Sequence, residues 1–173
     1  MTFHHKVVAI KERKMAYELR SGIHKRVIVA WIKRGNDLLL SMNKIVLDEG
    51  IKAGVILSAV GALSRASLRN VESLSNELLI IDENRKYTVI ENPCEILSLS
   101  GNIAEIEENP IVHAHISLSF VQKNEVKSIS GHLVEGFVVF PFAEIVIAEI
   151  SGINMKKAID NDTKTYQLFE EAK

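Results

Sequence analysis

A single cysteine, Cys94, excludes a disulfide framework within the chain. An excess of either charge is missing too. Lys and Arg number 21 against 22 Asp and Glu, and the formal net charge of −1 gives no global attraction to nucleic acid or to an anionic membrane. No apolar run reaches the roughly 18 residues of a membrane helix. The opening residues, Met1 to Lys6, are not followed by the apolar core of a secretion signal. Repeats, low-complexity segments and a clear linker are absent. These absences set the expectation of a soluble, cytoplasmic protein with no membrane partner. What remains is an ordinary globular composition, 47% hydrophobic and 25% charged over 173 residues, enough for one domain, or one domain with an appendage.

The most informative stretch runs from Pro110 to Leu133. Read as a strand, Ile111 to Phe120 points Val112, Ala114, Ile116, Leu118 and Phe120 one way and His113, His115, Ser117 and Ser119 the other. Val126 to Leu133 alternates as well, with Ile129 and Leu133 opposed to Ser128, Ser130 and His132. If Lys123-Asn124 forms a two-residue hairpin turn, Gln122 faces Glu125 and the register is fixed. Leu118 then faces Ile129, Ala114 faces Leu133, Ser117 faces Ser130 and Ser119 faces Ser128. Apolar meets apolar and polar meets polar, as a half-buried sheet requires. Asn124 tolerates the positive φ of such a turn.

In this register His115 faces His132, and His113 lies two residues along on the same face. Directly opposed Cβ atoms stand about 4.5–5.5 Å apart, so three imidazoles converge on one surface. Three neutral imidazoles leave one tetrahedral position open, the layout of catalytic rather than structural zinc. Nickel or copper accepts the same nitrogen ligands, so zinc (Zn2+) or another divalent transition metal is the expected cofactor. His-x-His alone is also what two unconnected surface histidines produce; the hairpin register distinguishes the two readings.

Elsewhere the pattern is that of strands around one helix. Basic residues cluster at Lys11, Arg13, Lys14, Arg20, Lys25 and Arg26, a solvated face or a nucleic-acid patch. His4 and His5 read as exposed terminal residues. Arg26 to Ile32 reads as a buried-type strand rich in β-branched residues. Asn36 is a good N-cap for a helix over Asp37 to Glu49, whose Leu38, Leu39, Met42, Ile45 and Val46 form one apolar stripe, with Gly50 to stop it. Gly54 to Val60 and Ser64 to Asn70 read as two strands separated at Gly61, and Leu78–Ile81 with Lys86–Ile90 as a hairpin around Asp82-Glu83-Asn84. Glu95 to Ala104 alternates Leu97, Leu99 and Ile103 against Ser98, Ser100 and Asn102, and this polar side is expected to continue the histidine face. Gly101 implies a bulge or a close backbone approach. Gly136 and Pro141 flank Phe137 to Phe140. Phe142 to Ile150 is the last long strand, and Lys156 to Lys173 a peripheral tail adding a short strand or helix. The fold class is α+β, a mostly antiparallel sheet packed against one main helix.

The ordered set Ile51-Lys52-Ala53-Gly54, Ser58-Ala59-Val60-Gly61-Ala62-Leu63, Glu95-Ile96-Leu97-Ser98-Leu99-Ser100-Gly101-Asn102, His113-Ala114-His115, Gly131-His132-Leu133 and Ala143-Glu144-Ile145-Val146-Ile147 resembles the PPC (plant and prokaryote conserved) domain. No single motif is specific; their order is. The resemblance covers roughly Arg26 to Ile150, between an N-terminal extension (1–25) and a C-terminal tail (151–173) packed on or extending the same domain. It implies an α+β fold, a homotrimer and, in some prokaryotic members, a metal held at the positions of His113, His115 and His132. It also carries a DNA-binding label, because the plant proteins join the domain to AT-hooks. This chain has no Arg-Gly-Arg-Pro core, the part of an AT-hook that grips the minor groove. Ser130 precedes Gly131 where a second glycine is usual, and Asn92-Pro93-Cys94 replaces a common Gly-Arg-Phe.

Two functional classes follow, and beside them the blander reading of a metal-binding trimer that senses a small molecule at a shallow site near a subunit interface. One is a trimeric metal-binding module with a regulatory or DNA-associated role. The other is a zinc-dependent hydrolase or lyase, with Glu95 or Glu144 as general base and Ser98, Ser100, Asn102, Ser117 or Ser130 orienting ligands or substrate. Cys94 reads as a small buried residue, not a ligand.

Overall fold

The structure, a computed structural model, describes residues 18–74, 81–161 and 163–169. Period-2 alternation dominates it. In chain order the strands are β1 (Ile23–Lys33), β2 (Gly54–Val71), β3 (Arg85–Ile90), β4 (Cys94–Ile106), β5 (Asn109–Gln122), β6 (Glu125–Leu133), β7 (Val138–Ser151), β8 (Lys157–Ile159) and β9 (Tyr166–Leu168). One α-helix, α1 (Leu38–Asp48), lies between β1 and β2 among the described residues. The main sheet runs β1-β7-β2-β4-β5-β6 and every ladder in it is antiparallel, so the fold is α+β as expected. The long β2 pairs with β4 through its first half and with β6 near its end, at Leu68–Leu133 and Arg69–His132. The sheet therefore curls back on itself through β2.

The inner face of that curl is the core. Leu63, Leu68, Ile103, Ile116, Leu118, Ile145 and Ile147 are fully buried there, against Leu38, Met42 and Val46 of α1. The helix is held at both ends. Asp37, not Asn36, is its N-cap. Its Oδ1 accepts from the Leu40 amide at 3.0 Å and its Oδ2 from the Gly136 and Phe137 amides at 2.7 and 3.2 Å. A carboxylate has lone pairs enough to cap the helix and pin the start of β7 together. Asn36 instead closes the preceding turn by donating to the Lys33 carbonyl. At the other end Gly50 takes φ +64°. The acidic residues there are offset: Lys44 pairs with Asp48 at 2.9 Å, and Arg26 reaches both the Glu49 carboxylate and its carbonyl.

Several local expectations change in the fold. Arg26 to Ile32 is not a buried strand: β1 is a sheet edge, and it turns Val29 and Trp31 outward, 73% and 61% exposed. Gly54 to Val60 and Ser64 to Asn70 are one strand, bent at Gly61. Gly61 has φ +134°, and a Cβ there would collide with the Phe142 carbonyl. Asp82–Asn84 is a 3-10 turn, and β3 pairs with β2, Ala66–Ile90 through Val71–Arg85; of the expected partner Leu78–Ile81, residues 78–80 lie outside the described residues. Leu97 does not join Leu99 and Ile103. A bulge between Ile96 and Ser98 throws Leu97 out, 56% exposed, and Ile96 takes the inward position. Pro141 does not end a strand, since β7 runs through it.

Candidate metal centre

The β5–β6 hairpin is built as its side-chain alternation dictates. Lys123 and Asn124 both take positive φ, 52° and 61°, the signature of a type I′ turn. From there the ladder runs Gln122–Glu125, Ser119–Ser128, Leu118–Ile129, Ser117–Ser130 and His115–His132. The expected Ala114–Leu133 pairing lies one step past the end of that ladder. Val112, Ala114, Ile116 and Leu118 are buried beneath, and the polar set faces the other way. On β4, Ser98 faces Ser117, Ser100 faces His115 and Asn102 faces His113, so the two polar surfaces are continuous. Gly101 sits opposite Ala114 in close approach, and the bulge is at Leu97 instead.

The three imidazoles converge. Ring centroids stand 5.6 Å apart for His113–His115, 4.9 Å for His113–His132 and 5.1 Å for His115–His132. One nitrogen from each ring lies within 4.8 Å of the others. His132 Nδ1 is 3.4 Å from His115 Nε2. Two nitrogens bound tetrahedrally at about 2.05 Å stand about 3.3 Å apart, so that pair already has the spacing of zinc ligands. Closing the widest gap takes a shift of about 1.5 Å, within the reach of imidazole torsions. Asn102, opposite His113, carries a buried Oδ1 without a hydrogen-bond partner among the described residues, the mark of an unsatisfied polar site.

The rings are prepared as ligands. Burial, reinforced by the Lys157 ammonium and by His115 and Arg69, lowers His113 to about 4. Burial, reinforced by Arg69 and the other two histidines, lowers His132 to about 3. At neutral pH both rings are unprotonated, the form that binds a metal, with the His113 Nδ1 lone pair accepting from Lys157 Nζ.

Three neighbours escaped the sequence reading. Arg69 faces His132 across the β2–β6 closure. Asn70 follows it and donates to the Ser130 carbonyl at 3.2 Å. Lys157, only 9% exposed, places Nζ 3.0 Å from His113 Nδ1. The tail is therefore not peripheral at this point, because β8 reaches into the site. Arg69 had a signal, as a charged residue in an alternating strand; a lone lysine in a polar tail had none. Ser117 and Ser130 are hydrogen-bonded at 2.8 Å on the same surface. Glu95 lies opposite Ser119, four positions along β5 from His115, about 13 Å at strand rise. Glu144 lies two strands further away, between Trp31 and Val60 on the outward face. The fold brings neither glutamate to the imidazoles. Cys94 is buried in the core, where burial pushes its thiol up.

Three convergent imidazoles on the outer face of a curled, helix-backed antiparallel sheet define a candidate metal-binding module. The chain belongs to the Plants and Prokaryotes Conserved (PCC) domain family, whose model matches residues 19–151. It is similar to a metal-containing protein from Archaeoglobus fulgidus, with 25% identity and a TM-score of 0.73 over 89% of this chain and all of that one. It is also similar to a plant- and prokaryote-conserved (PPC) protein from Pyrococcus horikoshii, with 25% identity and a TM-score of 0.71 over 91% of this chain and 99% of that one. Among curated proteins it is 32% identical over 137 residues, 79% of this chain, to the bifunctional protein GlmU of a Synechococcus strain. The chain spans only 19% of that relative's length.

Proposed function

We propose that this chain is a metal-binding, homotrimeric module of the family, holding zinc or another divalent transition metal between His113, His115 and His132. The observation that carries the reading is the convergence of three imidazole nitrogens. Similarity to a protein described as metal-containing supports it. Zinc bound by three histidines supplies a Lewis acid and brings a bound water toward pKa of about 7. Ser100 and Asn102 flank two of the rings, and the Ser117–Ser130 pair extends the polar floor. With Glu95 and Glu144 both remote, ligand binding coupled to regulation fits this surface better than hydrolysis with either as base. Elemental analysis is the test. About one transition-metal ion per chain is expected in the wild type and close to none in His115→Ala; equal contents, or none in either, would end the reading.

The oligomer is proposed from the outward face of the other half of the sheet. Paired positions share a face, so Val29 and Val146, Trp31, Val60 and Phe142 form one apolar surface around Glu144. Val29, Trp31 and Val60 are more than half exposed, and a contiguous apolar face of this kind marks an interface. Light scattering on the eluting protein is expected to give about three times 19.3 kDa. A particle of single-chain mass refutes the trimer.

A grip on DNA has little support in the N-terminal basic cluster. Lys11, Arg13 and Lys14, with His4 and His5, lie outside the described residues. Arg20 pairs with Glu18 at 3.0 Å, and Lys25 and Arg26 share Glu149 at 2.8 and 2.6 Å. Cations so occupied are poor phosphate contacts.

A further inference from the structure

Among the described residues, the charges that bear on the histidines from around them are of one sign. Arg69 faces His132 and bears on both His132 and His113. Among the described residues its guanidinium has no hydrogen-bond or ion-pair partner, unlike Arg65, held by Glu91, and Arg85, held by Asp82 at 2.6 Å. Lys157 is buried and, among the described residues, has only an imidazole nitrogen to donate to. Among the described residues, those that gather here as ligands are all histidines, with no carboxylate among them. Proteins seldom bury cations without a counter-charge, because desolvation is costly unless the charge is paired. Adding a divalent metal deepens the imbalance. Beside the site lies an open cavity of about 230 Å³, lined by Asn70, Ser98, Ser100, His115, Ser117 and Ser130. Its lining offers hydroxyls and an amide, donors and acceptors for a polar ligand.

We propose that the site binds an oxyanion, a carboxylate or phosphate group on a small polar molecule, with Arg69 and Lys157 as its charged anchors and the serine-lined cavity holding the rest of the ligand. This deepens the metal reading and rests on it for the divalent ion, while the two cations stand independently of it. Arg69 presents a planar fork matched to two oxygens; Lys157 supplies a point charge. A metal drawing on the His113 lone pair competes with Lys157 for it, and an incoming anion gives the displaced ammonium a better acceptor.

The test uses the full chain loaded with cobalt(II), with inorganic phosphate and malonate as separate probes. Cobalt uptake is measured first, since failure there sinks the metal reading alone. Saturable binding of at least one probe is then expected by calorimetry, with a change in the cobalt visible spectrum. Which probe binds tells phosphate from carboxylate. Arg69→Gln and Lys157→Gln are each expected to weaken binding about tenfold or more, the value of one charge-assisted hydrogen bond, with cobalt stoichiometry retained. Arg69→Lys is expected to recover part of the loss. If cobalt does not load, the same isotherms on the metal-free chain decide: Arg69-dependent binding upholds the anion site. No binding of either probe at about 10 mM overturns it, since a millimolar site is the weakest that matters. Binding unchanged in both Gln variants overturns it too, because the anion would then be held by the metal alone.

Discussion

Lowering the pH of the metal-free protein from 7.5 to 4 is expected to cost on the order of 3 kcal/mol of stability through two histidines. His113 and His132 stay neutral in the folded chain down to about 4 and about 3, because burial and the nearby cations penalise their charged forms. The unfolded chain protonates the same rings near the ordinary value of 6.5. Between those limits the unfolded state binds more protons, so stability rises with pH. The contribution is complete above about pH 6.5 and is lost as the pH falls toward 4. One pH unit of such mismatch is worth about 1.4 kcal/mol per group, and partial exposure of the rings halves the sum. The rings stand 4.9 Å apart at centroid, so they titrate as a unit and not singly. Urea unfolding in the presence of a chelator, at pH 7.5 and pH 4, gives the measurement. The double variant His113→Gln/His132→Gln is expected to lose much less than the wild type over that interval; equal losses would place the acid sensitivity elsewhere. Zinc at about a thousand times its dissociation constant adds about 4 kcal/mol at pH 7.5. That increment shrinks toward zero at pH 4, where protons compete for the lone pairs.

A second large effect is expected at Gly101. Substitution by valine is predicted to destabilise the fold by about 3 kcal/mol and to weaken metal binding at the same time. A Cβ at this position would meet the His113 carbonyl and lie 2.7 and 2.8 Å from Ala114 Cα and Cβ. These are backbone and short side-chain atoms that cannot swing aside. The β4–β5 ladder must open between Ser100–His115 and Asn102–His113, the two pairs that flank the contact. Both histidines of the His-x-His pair move with it. The denaturation midpoint and a zinc titration report the two consequences separately. An unchanged midpoint contradicts the steric account. A lower midpoint with full zinc affinity shows that the ladder opens without displacing the rings.

The outward Trp31 and Val29 show how a good local reading can give the wrong burial. A run of β-branched residues at a sheet edge looks the same in sequence as one in a sheet centre; only the neighbours differ. Leu97 makes a similar point. A single bulge reverses which leucine faces the core, and nothing in Glu95 to Ala104 marks it, since Gly101 was the more visible irregularity. Asp37 displaced Asn36 as helix cap because its second oxygen serves the start of β7, a partner 99 residues away.

The residues alone determined the histidine hairpin. Alternation fixes which side chains share a face, a two-residue turn tolerant of positive φ fixes the register, and together they leave His113, His115 and His132 one arrangement. Both are local rules, settled within a couple of dozen residues. The tertiary structure decided what surrounds those rings. Arg69 arrives because β2 is long and bent enough to pair with β4 and then β6, and Lys157 because β8 packs back against the end of β4, bridged at Glu105–Lys156, and extends its side chain to His113. Contacts between segments so far apart in the chain depend on the curl of the whole sheet, a property that no single stretch of residues carries.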